Sequence, residues 1–147
     1  MPDLHSDVLG QVARLPLKPS ESNALLPLFE AISNSLHAIN ERFGDDGLAE
    51  KGRIDIDVLR TTLEDDSTPV TGFIVRDNGI GLNEDNFISF CTPFSQHKIK
   101  KGGKGVGRLG WLKVFKNITV NSAFQNGGAL EQIVFDFVLR ENNQVDT

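Results

Sequence analysis

Three short stretches of this 147-residue chain combine residue types and spacings that could do chemistry. Glu30 and Asn34 stand four residues apart in Glu30-Ala31-Ile32-Ser33-Asn34-Ser35. On a helix they would project from one face, about 6 Å apart along the axis. An amide among residues that belong in a core needs a partner; the bland reading puts both side chains on the solvent side. Asp77-Asn78-Gly79-Ile80-Gly81 follows the apolar run Thr71-Gly72-Phe73-Ile74-Val75. A carboxylate delivered at a strand end can accept hydrogen bonds from a planar, donor-bearing ligand. The glycines would let such a ligand come close to the backbone. Asp-Asn-Gly is equally an ordinary turn sequence. The third stretch is Lys101-Gly102-Gly103-Lys104-Gly105-Val106-Gly107-Arg108. Glycines ahead of a helix leave its first N–H groups open to a phosphate. The pattern is neither a P-loop nor a dinucleotide fingerprint, and a flexible hinge would use the same residues.

The elements that must position these residues are legible from periodicity. Leu28, Phe29, Ile32, Leu36, Ile39 and Phe43 recur at helical spacing, with Pro27 in the first turn and Gly44 as the stop. A polar connection follows, from Gly44 to Gly52. Arg53 to Arg60 alternates apolar and polar residues, the pattern of a half-buried strand. Thr71 to Val75 reads as a buried central strand that ends by presenting Asp77. A short helix is expected over Leu82 to Phe90, a long loop over Cys91 to Lys104, and a helix over Gly105 to Phe115. Two strands, Asn117 to Phe124 and Ala129 to Leu139, flank a Gln125-Asn126-Gly127-Gly128 turn. Gln11 to Leu17 suggests a short edge strand stopping at Pro16. Paired strands with helices able to cover one face give an α+β fold, a two-layer sandwich with a mostly antiparallel sheet.

Composition narrows the class of protein. Hydrophobic residues make up 39% of the chain, enough for a core. The lone cysteine, Cys91, cannot form an internal disulfide, which favours a reducing compartment. Met1 to Gly10 lacks the basic start and apolar stretch of a secretion signal, and no run is long enough to span a bilayer. The expectation is a cytoplasmic protein without a membrane partner. The net charge of −5 conceals an asymmetry. From Asn86 to Leu130 there is no Asp or Glu, while Lys98, Lys100, Lys101, Lys104, Arg108, Lys113 and Lys116 give +7. The other eight Lys and Arg against all twenty Asp and Glu leave the remainder at −12. Basic charge gathered beside glycines suggests a local anion site or a solvated basic loop. A broad nucleic-acid surface would more often make the whole domain basic.

Taken together, Glu30-x-x-x-Asn34, Asp77-x-Gly79-x-Gly81 and Gly102-x-x-Gly105-x-Gly107 occur in an order and at spacings resembling the GHKL ATPase superfamily. That superfamily includes DNA gyrase, the large heat-shock chaperones, histidine kinases and the MutL mismatch-repair proteins. Glu30 to Ser35 and Gly102 to Gly107 look most like the chaperone wording. The resemblance runs from about Leu25 to Val138, most of the chain.

The resemblance implies a Bergerat-type ATP site, between helices and a mixed sheet, in a single domain spanning residues 1–147. Residues 1–19 would be an N-terminal edge segment and 91–104 a lid. Asp77 would bind the adenine amino group, with Gly79 and Gly81 forming the pocket floor. Asn34 would coordinate Mg²⁺, Ala38 would keep its motif place, and Glu30 would be the general base that activates water. Gly102, Gly103, Lys104, Gly105, Val106 and Gly107 would line the phosphates, with Lys98 and Lys101 nearby. Histidine kinases usually place another polar residue where Glu30 stands, so hydrolysis is favoured over phosphotransfer to histidine. His5, His37 and His97 are isolated and expected to be structural or exposed.

Two departures accompany the resemblance. His37 occupies a position that is often Asp. Relatives also carry a late threonine, on a strand after the last hairpin, that helps hold the adenine-side Asp. Thr119 comes too early for it, and no strand is expected after Asn142-Asn143-Gln144. The expectation is the N-terminal part of a larger protein, an ATP- and ADP-binding switch that meets a protein partner, further domains or a second copy. A nucleotide-gated interaction module with little catalysis is the alternative, as is the ATPase domain of a DNA-processing factor. Nucleic acid as a partner has no direct support in the sequence.

Overall fold

The computed structural model describes residues 7–18, 21–62, 68–92, 107–140 and 144–146. They form helices and two antiparallel sheets, an α+β architecture. The chain divides into two compact units, Ser20–Gly81 and a second made of Met1–Pro19 with Leu82–Thr147. Among the described residues no helix is long and apolar enough to cross a membrane.

In the discontinuous unit, α1 spans Val8–Arg14. This corrects the edge strand expected over Gln11 to Leu17. Val8, Val12 and Leu15 recur at helical rather than alternate spacing, and Asp7 caps the first turn by accepting from the Gly10 N–H at 2.8 Å. Val12 is 2% exposed and joins a core with Phe90, Leu109, Leu112, Phe135 and Phe137. A burial-driven face thus outweighs the mild β preference of valine.

In the contiguous unit, α2 spans Glu21–Lys51 and β1 and β2 span Ile54–Arg60 and Val70–Asp77. The helix begins six residues before Pro27, which therefore lies inside it rather than in the first turn. Ala24 and Leu28 are both buried, so the apolar face continues upstream of the proline. Gly44 does interrupt the helix, with φ 72° and ψ 175°. Helix then runs on from Asp45 to Lys51, about two turns, where a connection was expected. Asn40 Nδ2 bridges the kink by donating to Asp45 Oδ1 at 2.5 Å.

Strands β1 and β2 pair antiparallel from Ile54↔Asp77 to Arg60↔Val70, with an irregularity between Leu59 and Arg60. Among the described residues β2 pairs with β1 alone and is only half-buried, so it is not the buried central strand that its apolar run suggested. The register decides where the site forms. Asp77 is the last paired residue, opposite Ile54, and the chain then leaves the ladder through Asn78-Gly79.

Back in the discontinuous unit, α3 spans Glu84–Cys91 and α4 spans Leu109–Val114. Asn83 caps α3 by accepting from the Asn86 N–H at 2.9 Å. The Phe90 ring meets Phe135 and Phe137 edge-on at 5.3 and 5.1 Å. Strands β3, Thr119–Asn126, and β4, Ala129–Phe137, are joined by Gly127-Gly128, both at positive φ (56° and 90°). That is the two-residue turn whose twist suits a hairpin. A short β5, Val145–Asp146, pairs antiparallel with β4 through Phe137↔Val145 and Asp136↔Asp146. It corrects the expectation of no strand after Gln144. Among the described residues the strands form a two-stranded and a three-stranded antiparallel sheet, where a single mixed sheet was expected.

Candidate functional site

In the contiguous unit one face of α2 meets the segment that leaves β2. Ser35, Ala38 and Arg42 follow one another at three and four residues, the spacing that stacks side chains along a helix. Each grips the segment that leaves β2. Ser35 Oγ donates to Asp77 Oδ2 at 2.7 Å. The Ala38 carbonyl accepts from the Ile80 N–H at 3.0 Å. Arg42 Nη1 donates to the Asn78 carbonyl at 2.7 Å. The three residues cover successive parts of one short loop.

Asp77 therefore has both carboxylate oxygens engaged. Oδ2 takes the Ser35 hydroxyl, and Oδ1 accepts the Gly79 N–H at 2.9 Å. A carboxylate offers about four lone-pair positions, so each oxygen retains capacity for a further donor. Asp77 is exposed while Ser35 is only 4% exposed. The hydroxyl is thus a fixed internal support for the carboxylate of an exposed residue. Asn78 anchors the loop from its other side. Its Oδ1 accepts from the Arg53 N–H at 2.8 Å, and its Nδ2 donates to the Lys51 carbonyl at 2.8 Å.

Gly79 has a reason inside the chain as well as any it has toward a ligand. A Cβ there would lie 2.5 Å from Ala38 Cβ and 2.7 Å from the Ala38 carbonyl carbon. Only a glycine lets the loop pass this close to α2. Gly81 sits at φ 82°, in the left-handed region that side chains disfavour.

Glu30 and Asn34 occupy α2 one turn apart, both half-buried, with Asn34 adjacent in sequence to the buried Ser35. Asn34 already makes an interaction within the chain. His37, at the position often filled by Asp, is exposed. Among the described residues no three His, Cys, Asp or Glu side chains gather into a metal-holding group. An ion held here would rest on hard oxygens such as the Asn34 amide. That donor suits Mg²⁺, which is usually bound through one or two protein groups and substrate phosphates.

The glycine-rich stretch is described only from Gly107 onward. Gly102, Gly103, Lys104, Gly105 and Val106, and with them Lys98 and Lys101, lie outside the described residues. Gly107 forms a turn whose carbonyl accepts from the Gly110 N–H at 2.9 Å, and α4 starts at Leu109. Arg108, expected as part of a basic patch, is 2% exposed. Its guanidinium lies 5.3 Å over the Phe90 ring and 3.5 Å from the Ser89 carbonyl. Thr119 donates to Asp136 across its own hairpin at 2.7 Å.

Sequence reasoning missed Ser35 and Arg42 as parts of the site. The signal for Ser35 was a hydroxyl directly after Asn34 on a helix rich in core residues. For Arg42 it was the seven-residue step that returns it to the face of Ser35. Compared with protein-family models, curated proteins and solved structures, the chain has no match.

Proposed function

We propose that this chain binds ATP at the loop leaving β2 and hydrolyses it, as a GHKL-type nucleotide-driven switch. The observation that carries the reading is the Asp77 carboxylate, held by Ser35 Oγ at 2.7 Å and by the Gly79 N–H at 2.9 Å yet exposed. A fixed carboxylate with spare lone pairs is the acceptor that an exocyclic amino group of adenine requires.

The remaining roles follow from residue chemistry and the resemblance. Glu30 would accept a proton from the water that attacks the γ-phosphorus, while the bond to the ADP leaving oxygen breaks. The Asn34 amide oxygen would hold Mg²⁺, which supplies charge neutralisation for the phosphates. Gly102 to Gly107 and the lysines before them would meet the phosphates with N–H groups and positive charge. Phosphoryl transfer depends mainly on positioning and charge neutralisation, and this residue set offers both.

The test is calorimetric titration of Mg·ATP into the protein and into Asp77→Ala. Saturable binding that disappears in the variant supports the adenine role of Asp77. Equal binding by both proteins would move the nucleotide elsewhere, and no binding by the parent would remove the proposal.

A further inference from the structure

Arg42 belongs to none of the three motifs, yet it makes the most direct hold on the loop behind Asp77. Its Nη1 lies 2.7 Å from the Asn78 carbonyl oxygen and 3.4 Å from that of Gly79. The guanidinium carbon sits 4.9 Å over the Phe43 ring, which keeps the side chain from wandering. The Asn78 carbonyl and the Gly79 N–H are the two ends of one planar peptide unit. That same N–H donates to Asp77 Oδ1 at 2.9 Å. A continuous relay therefore runs from the guanidinium through the peptide to the carboxylate.

The relay has a mechanical and an electrostatic consequence. Turning the Asn78–Gly79 peptide over would withdraw the N–H from Asp77, and glycine at 79 lowers the conformational barrier to doing so. A charged donor on the carbonyl opposes that rotation and is stronger than a neutral one. Polarising the carbonyl also strengthens the hydrogen bond that the N–H at the far end of the peptide donates to Asp77. The side chain of Asn78 is tied to Lys51 and Arg53 but does not touch this peptide plane. The plane is held at its carbonyl end by Arg42 and at its N–H end by Asp77.

We infer that Arg42 is a positioning residue for base selection: it fixes the Asn78–Gly79 peptide so that Asp77 presents its carboxylate to a purine amino group. The inference rests on the nucleotide reading of Asp77 and adds to it the residue that sets preference for an amino over a carbonyl substituent on the base. A residue that merely holds the loop together would affect stability and every nucleotide alike.

The experiment titrates ATP and ITP, which share their phosphates and differ in the amino or carbonyl group of the base. Both are measured by calorimetry against the parent, Arg42→Met and Arg42→Lys, with thermal unfolding of each protein. The parent should prefer ATP. Arg42→Met should bind ATP about tenfold more weakly, as expected for losing a charged hydrogen bond, and ITP within about twofold of the parent. Arg42→Lys should recover most of the preference. An unchanged ATP-to-ITP ratio in Arg42→Met overturns the inference, as does equal loss of both nucleotides with a lowered Tm. A parent that binds neither nucleotide overturns the Asp77 reading itself, and a parent that binds both equally overturns amino-group selection.

Discussion

Ser35 donates its hydroxyl to Asp77 Oδ2 over 2.7 Å, joining the middle of α2 to the last residue of β2 across 42 positions of sequence. The resemblance expects such a hydroxyl from a late threonine. Here a serine in the helix already supplies one, and the Asp77 carboxylate is oriented within the contiguous unit. Ser35→Ala should lower stability by about 1 kcal/mol, the usual net worth of one hydrogen bond. It should also weaken Mg·ATP binding several-fold, whereas Ser35→Thr should retain binding if the extra methyl is accommodated. Urea unfolding and calorimetry on the same preparations read both effects. Unchanged binding in Ser35→Ala would show that Asp77 needs no support from the helix.

The contact between Gly79 and Ala38 gives a prediction independent of any ligand. Gly79→Ala places one methyl 2.5 Å from another, so the loop or the helix must shift. Overpacking of this kind typically costs about 1–3 kcal/mol. Removing the opposing methyl with Ala38→Gly should restore part of that loss, less about 1 kcal/mol for a glycine inside a helix. Equilibrium unfolding of the two single variants and the double variant closes the cycle. Strict additivity would mean that the two residues do not press on each other.

Glu30 separates binding from turnover. Glu30→Gln keeps the size and polarity of the side chain and removes its capacity to accept a proton at neutral pH. Nucleotide affinity should stay within about twofold, while hydrolysis falls by about 10² to 10⁴, the usual contribution of a general base. Phosphate release assayed beside calorimetry distinguishes the two quantities. A variant that hydrolyses ATP at the parental rate would remove Glu30 from the reaction.

The pH dependence of Cys91 follows from its surroundings. Cys91 is exposed as a residue, yet partial desolvation of its thiol pushes the pKa up, and the nearby charge of Arg108 acts in the opposite direction without cancelling it. The thiolate is the reactive form, so a raised pKa leaves less of it at any given pH. Alkylation of Cys91 should be slower than that of a free thiol near neutrality, with its rate profile displaced to higher pH. In Arg108→Leu the opposing charge is gone, and the profile should move further up. A profile at or below that of a free thiol would contradict the burial effect. Intact-mass measurement over a pH series follows it directly.

Local periodicity was enough to establish much of the secondary structure. The alternation over Arg53 to Arg60, the apolar run ending at Asp77 and the glycine turn before Ala129 each correspond to an observed element. These patterns are short-range: a strand's two faces, or a turn's positive φ, are written into adjacent residues. The helix of residues 8–14 and the upstream start of α2 were not legible in the same way. Helical spacing over so short a stretch competes with the strand pattern, and Val12 settles it by being buried with Phe90, Leu109, Leu112, Phe135 and Phe137, far along the chain.

The same division runs through the candidate site. By itself the sequence determined which groups are available: a carboxylate at a strand end, glycines after it, and a glutamate and an asparagine one helical turn apart. The tertiary structure alone decided that Ser35, Ala38 and Arg42 face the loop after β2, and that Gly79 is needed by Ala38. Such relations depend on which face of α2 meets the end of β2. That is fixed by packing and strand register, because hydrogen bonds between residues 36 to 42 positions apart leave no periodic trace in the chain.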